Sequence, residues 1–253
     1  NPPYVRVPSN YLKGFNSTGA RNLYAGFLEM GLNLLKNDGV LSLIVPLSVV
    51  GSLETRALRD IILKEPGSKH FQNFDSVPDF LFDQGKIESN TNTNINQRTS
   101  IVTVDRSAKE SISTSPLLRW RREERPYLFD RLTSMKIKTS DVVHRGIPML
   151  ENNDDLNLFR RIASEKKRIG EILLQKEGKK IWIPKAVRYF ISAIPFDLNR
   201  PNTLIIRVPE EHFHRVHISL NSNLFYWWWR TVGNGFQVDL RDVTDFPLFD
   251  IER

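Results

Sequence analysis

The stretch richest in chemistry is Asn1-Pro2-Pro3-Tyr4. Each proline fixes its φ at about −65° and removes a backbone N–H, and the residue before a proline is pushed out of the helical region. The result is a stiff, non-helical corner that presents one side-chain amide, several free carbonyls and an aromatic ring. Acceptors held this way can take both protons of a planar amino group without reorganising. The ring offers a face on which a flat substrate can stack. No histidine or carboxylate stands in the motif, so it supplies no strong base. The bland alternative is a Pro-rich turn.

Two other constellations have residue types that could do chemistry. His212, His214 and His217 have metal-like density in "HFHRVH", but no cysteine or aspartate lies beside them, and a metal role is set aside. Pro78-Asp79 and Glu165 to Lys167 have the residue types of a nuclease carboxylate–lysine site. Their separation is long and the second sits in a basic stretch, so a nuclease domain is rejected.

These residues need elements to position them. "STGARNLYAGFLEMGLNLLKNDG" reads as a buried helix capped at Ser17 or Thr18, with Leu23, Phe27, Met30 and Leu34 at helical spacing and Asp38-Gly39 as its stop. Val40 to Pro46 is a continuously apolar run of the kind buried in a parallel sheet. Ser52 to Leu63 is a second helix, and "HFQNFDSV" and "RTSIVTVD" are two further strands. Loop, helix, strand, helix, strand, strand is the order found in the second half of a doubly wound α/β sheet. Between the last two strands lies an Asn-rich stretch, Asp79 to Gln97, whose length marks it as functional or disordered. From about Ser107 the texture changes to a basic, aromatic region: "RWRREER", a basic helix ending in "EKKR", the strand-like "KKIWIPKAVRYF", and an aromatic helix around "YWWWR". The expected organisation is therefore residues 1–106 as one α/β part and 107–253 as a linker and α+β region.

The chain has 253 residues, 40% hydrophobic and 26% charged, which is the composition of a soluble globular protein. It has no cysteine, which excludes disulfides and thiolate metal sites and leaves a reducing, cytoplasmic home unopposed. No apolar run is long enough to span a bilayer. The net charge of +7 is concentrated between Arg119 and Arg188, and an excess confined to one region suits a polyanionic partner. Arg119, Arg121, Arg122 and Arg125 form its first cluster. Lys166, Lys167 and Arg168 form the second, and Lys179, Lys180, Lys185 and Arg188 the third. Interleaving with Trp120, Trp182 and Tyr189 suits a nucleic-acid groove. The alternative is a solvated face, with Glu123 and Glu124 pairing neighbouring arginines.

Taken with "NLYAGFLEMGLNLLKNDGVLSLIVPLSVV", "FDSVPDFLFDQ", "RWRREERPYLF" and "SLNSNLFYWWWR", the opening "NPPY" resembles the amino-methyltransferases of DNA. The likeness is to the large adenine-specific type of restriction-modification and phage-defence systems, and it extends in order over most of the chain. It implies a Rossmann-like catalytic domain, of which this chain carries the C-terminal half from the catalytic motif onward, followed by a target-recognition region that holds double-stranded DNA. The implied roles are Asn1 and Pro2 as acceptors for the adenine amino group, Pro3 as stiffener, and Tyr4 with Phe82 as the faces of a sandwich around a flipped base. Extruding that base costs roughly a few kcal/mol. The implied methyl donor is S-adenosylmethionine, with no metal, and the implied partners include other restriction-modification or defence subunits. The family's Gly-rich donor loop has no counterpart here, since "TVGNGF" lacks the strand and helix such a loop needs. A binding-only specificity module, or methylation of RNA or of protein glutamine, are the alternatives.

Overall fold

The computed structural model describes residues 1–79, 81, 97–142 and 146–249, and the chain divides into two compact units, Asn1–Asn153 and Asp154–Arg253. In the first unit, two 3-10 turns (Ser9–Leu12 and Asn16–Ala20) lead to α1 (Leu23–Leu34), β1 (Val40–Pro46), α2 (Ser48–Gly51) and α3 (Arg56–Lys64). Four strands follow: β2 (Ser68–Phe74), β3 (Thr99–Asp105), β4 (Ser111–Leu118) and β5 (Met135–Ile137). They form one mixed five-stranded sheet in the order β1-β3-β2-β4-β5. β3 is antiparallel to both β1 and β2, β2 and β4 are parallel, and β5 is antiparallel to β4. Pro46 and Phe74 both register with Thr99. The carboxyl ends of β1, β2 and β4 therefore lie at one edge of the sheet, where β3 begins.

Three expectations change. β1 is not buried among parallel strands: it pairs antiparallel with β3 alone among the described residues, with Val40 57% exposed and Val45 buried. An unbroken apolar run has the same spelling in either pairing. α1 does form, but Asn22 caps it, accepting from the Tyr24 amide at 3.4 Å. Its buried face is Tyr24, Ala25, Leu28 and Leu32, while Phe27, Met30 and Leu34 form an exposed stripe. The helix is apolar on two faces, and spacing alone does not say which faces inward. Finally, the sheet does not stop at residue 106.

β4 is Ser/Thr-rich and contains Pro116, which disguised it. Its register on β2 shifts between Phe71 and Asn73, and the fully buried Asn73 bridges the irregularity. The Asn73 amide N–H donates to Ser115 Oγ at 2.8 Å, its Nδ2 to Ser115 O at 2.9 Å, and Ser100 Oγ donates to its Oδ1 at 2.9 Å. The side chain thereby supplies hydrogen bonds that a proline-containing strand cannot.

The second unit holds α4 (Asn153–Ser164), an antiparallel pair β6 (Lys179–Pro184) and β7 (Thr203–Val208), then α5 (Glu210–Leu220), α6 (Asn223–Val232) and α7 (Leu240–Thr244). The histidines of "HFHRVH" lie on α5, and the basic helix ends at Ser164, short of Lys166. The aromatic helix packs as core: Trp228 stacks on Phe159 at 6.0 Å, Trp229 and Phe225 are fully buried, and Trp227 Nε1 donates to Asp155 Oδ1 at 3.2 Å. Among the described residues no helix is long and apolar enough to cross a membrane, and no group of His, Asp or Glu could hold a metal ion.

Candidate active site

The Asn1–Tyr4 corner is fixed at two points. Downstream, Leu23 N donates to Val5 O at 3.0 Å and Val7 N to Arg21 O at 2.9 Å, which anchors the segment to the start of α1. The second point is Tyr4 itself. Its Oη lies 2.7 Å from the carbonyl oxygen of Ile44, near the carboxyl end of β1, and 2.7 Å from Asn1 Oδ1. One phenol proton is shared between two oxygens, so the Asn1 amide is tethered through Tyr4 to the sheet. The amide oxygen has two lone-pair sites, and one stays available for an incoming N–H. Tyr4 packs edge-on to Tyr24 with centroids 6.5 Å apart, and Tyr24 Oη is bonded to Ser48 Oγ at 2.9 Å. Burial pushes both phenols up to about 12. Asn1 and Pro3 are exposed and Pro2 and Tyr4 half-buried. The corner thus faces solvent while its root is held at the edge where the parallel strands end, the usual ligand-binding edge of open α/β sheets.

A second feature occupies the same edge. Asp75, fully buried just beyond β2, accepts from Arg98 Nε at 2.6 Å and from Arg119 Nε at 2.9 Å. Arg122 N donates to Asp79 Oδ2 at 2.9 Å, and Arg125 Nη2 to Leu81 O at 2.7 Å. Trp120 is buried with Phe74 and Leu128, with Leu81 packed against them and the Arg125 guanidinium 5.1 Å from its ring centroid. Arg119, Arg122 and Arg125 of "RWRREER" thus also hold the chain leaving β2. Arg119 serves the interior through Asp75. Arg121, Arg122 and Arg125 remain exposed, and Arg121 N is bonded to Glu124, which pairs with Arg131 at 2.7 Å. Neither Asp75 nor Arg98 stood out in the sequence. An acidic residue ending one strand and a basic residue opening the next was the available signal. Phe82 lies outside the described residues.

The remaining basic positions divide in the same way. Arg168 caps the end of α4, donating to Ile162 O at 3.2 Å, Ala163 O at 2.7 Å and Asp245 O at 2.9 Å. Lys166 and Lys167 are exposed. On β6, Lys179 pairs with Glu210 and lies over the Phe213 ring, and Lys180 lies over Trp182. Lys185 is half-buried and Arg188 exposed, its carbonyl accepting from Tyr226 Oη at 2.8 Å.

Gly233 ends α6, where a Cβ would lie 2.4 Å from Trp229 O, so it serves close packing rather than a cradle.

Residues 1–80 match the family model described as Eco57I restriction-modification methylase. Over this third of the chain the protein is similar to a restriction-modification methylase. No curated protein matches. Among solved structures, a chain of the "cryoEM structure DrdV-DNA complex" is 16% identical at a TM-score of 0.40, over 55% of this chain and 17% of that one. A likeness so shallow supports no inference about fold or activity, and this chain spans under a fifth of that chain's length.

Proposed function

We propose that this chain carries the catalytic corner and a target-binding region of a DNA methyltransferase that modifies adenine at N6, in a restriction-modification or phage-defence setting. The observation that carries the reading is the tether from Asn1 through Tyr4 to Ile44, in the part of the chain that is similar to a methylase. The adenine amino group is a poor nucleophile because its lone pair is delocalised into the ring. Asn1 Oδ1 and the Pro2 carbonyl would each accept one of its N–H protons, drawing the nitrogen toward tetrahedral geometry and freeing the lone pair. Prolines that cannot rotate keep these acceptors in place. Tyr4 offers one face to the extruded base, and Phe82 is proposed for the other.

S-adenosylmethionine would supply an electrophilic methyl carbon. A cytoplasmic location and additional restriction or defence subunits belong to the same reading.

The test is transfer of labelled methyl groups to unmethylated duplex DNA by the polypeptide carrying this chain, with RNA and a glutamine peptide as rival substrates. Asn1→Ala is expected to lower kcat by about 10²-fold or more, the scale of losing one preorganised polar contact. Undiminished DNA methylation by Asn1→Ala would overturn the assigned roles. A second reading, a specificity module that binds DNA without catalysis, draws on the exposed basic side chains Lys166, Lys167 and Arg188. Salt-dependent binding without methyl transfer would favour it.

A further inference from the structure

The segment joining β6 to β7 is long yet held at several points. Its ends meet through Lys185 N donating to Asn202 O at 3.1 Å. Midway, Ala193 N donates to Asn221 Oδ1 at 3.0 Å and Asn221 Nδ2 to Ala193 O at 2.9 Å. Ile194 pairs with Trp182 on β6 through two backbone bonds of 2.8 Å. Val187, Ile191 and Ala193 are buried beneath it. A loop pinned in this way need not expose aromatic rings, yet Phe190 is 71% exposed and Phe196 58%. Beside its root, Gln237 bridges Ala186 and Val238 N donates to Lys185 O at 3.0 Å, and the adjoining Phe236 is 63% exposed. Three phenylalanines stand in water on a rigid frame.

Charge names the partner. Residues 179–208 contain six lysines and arginines against a single carboxylate, Asp197, and that carboxylate accepts from Asn199 N at 2.7 Å. We propose that this loop is a nucleic-acid wedge. Phe190 and Phe236, with Phe196 of the same loop, insert against or between bases of a DNA duplex, while Lys180 and Lys185 meet its phosphates. This deepens the DNA reading given above and rests on it. Apolar wedges of this kind unstack a base step in exchange for a larger bound surface, and such distortion would assist extrusion of a target base.

The experiment is equilibrium binding of the whole chain to a labelled duplex across a salt series, with 2-aminopurine placed at successive positions to report unstacking. Phe190→Ala and Phe236→Ala are each expected to weaken binding roughly 5- to 150-fold, the worth of one base–aromatic stack. They should abolish the 2-aminopurine signal and leave the slope of log K against log salt unchanged. Lys185→Ala should reduce that slope by about one phosphate's worth. Wild-type affinity in both Phe variants would overturn the wedge while leaving DNA binding intact. So would a change of sedimentation state with no change in DNA affinity, which would make this a protein-facing surface. If the wild-type chain binds no duplex even at low salt, the DNA reading fails first and the wedge with it. Phe190 and Phe236 are exposed, so their variants should keep the wild-type circular dichroism.

Discussion

Arg119 donates its Nε–H to Asp75 Oδ2 at 2.9 Å, across the gap between the ends of β2 and β4. With Arg98 on the other carboxylate oxygen at 2.6 Å, one buried acid joins three separate stretches of chain. Removing one partner of a buried ion pair leaves an uncompensated charge in a poor solvent. Asp75→Ala strands two guanidinium groups and should lower unfolding free energy by about 3–5 kcal/mol, read as a fall in urea midpoint. Arg119→Ala should cost less, because Asp75 keeps Arg98. It should also leave the salt slope of DNA binding unchanged. A reduced slope would mean that Arg119 also meets phosphates.

Tyr4→Phe separates ring from hydroxyl. The stacking face stays and the tether to Ile44 goes, at a cost of about 1 kcal/mol in stability. If the tether orients Asn1, kcat for methyl transfer should fall while DNA affinity holds. Equal kcat in the variant would mean that the prolines alone fix the amide.

Alkali should loosen the fold. Tyr4 and Tyr24 are both raised by burial from 10.0 to about 12, so between those values the native state holds protons that the unfolded chain has released. Their contribution is complete below about pH 10 and disappears as pH rises through about 12. Phenolate absorbance near 295 nm should show a delayed titration in the native protein. Tyr4→Phe should remove part of the alkaline loss of stability.

Acid acts through Glu29. Burial alone would raise this carboxyl, but hydrogen bonds from Ser17 and Asn16 outweigh it and hold the group below its ordinary 4.5. Asn16 N and Ser17 N donate to its two oxygens at 2.9 and 2.8 Å. A lowered carboxyl stabilises above its unfolded value, and that contribution is lost as pH falls through the native one. Glu29→Gln should cost about 2 kcal/mol at neutral pH and flatten the acid limb of the stability profile.

How much of this was legible in the sequence depends on what each residue type can encode. Two prolines after an asparagine specify a rigid corner whatever surrounds them, so Asn1–Tyr4 stood out at once. Val40–Pro46 spelled a strand but not its neighbour, because pairing direction depends on the path of the intervening chain. Ser111–Leu118 was missed because Pro116 argues against a strand, and the remedy, the Asn73 amide, comes from more than forty residues away. The arginines of "RWRREER" announced positive charge. Whether a guanidinium faces a phosphate or a buried Asp75 is a tertiary fact with no local spelling. Glu29 sat amid an apolar helix and drew no notice, since its partners belong to a turn before that helix.

The two-faced α1 beside the single-partnered β1 has a practical corollary. A row of Phe27, Met30 and Leu34 beside a strand that has one partner strand among the described residues is an adhesive seam. Purified alone and concentrated, the chain should self-associate, with light scattering climbing as protein is added. Placing a lysine at Met30 or Leu34 should keep it dispersed without disturbing the helix.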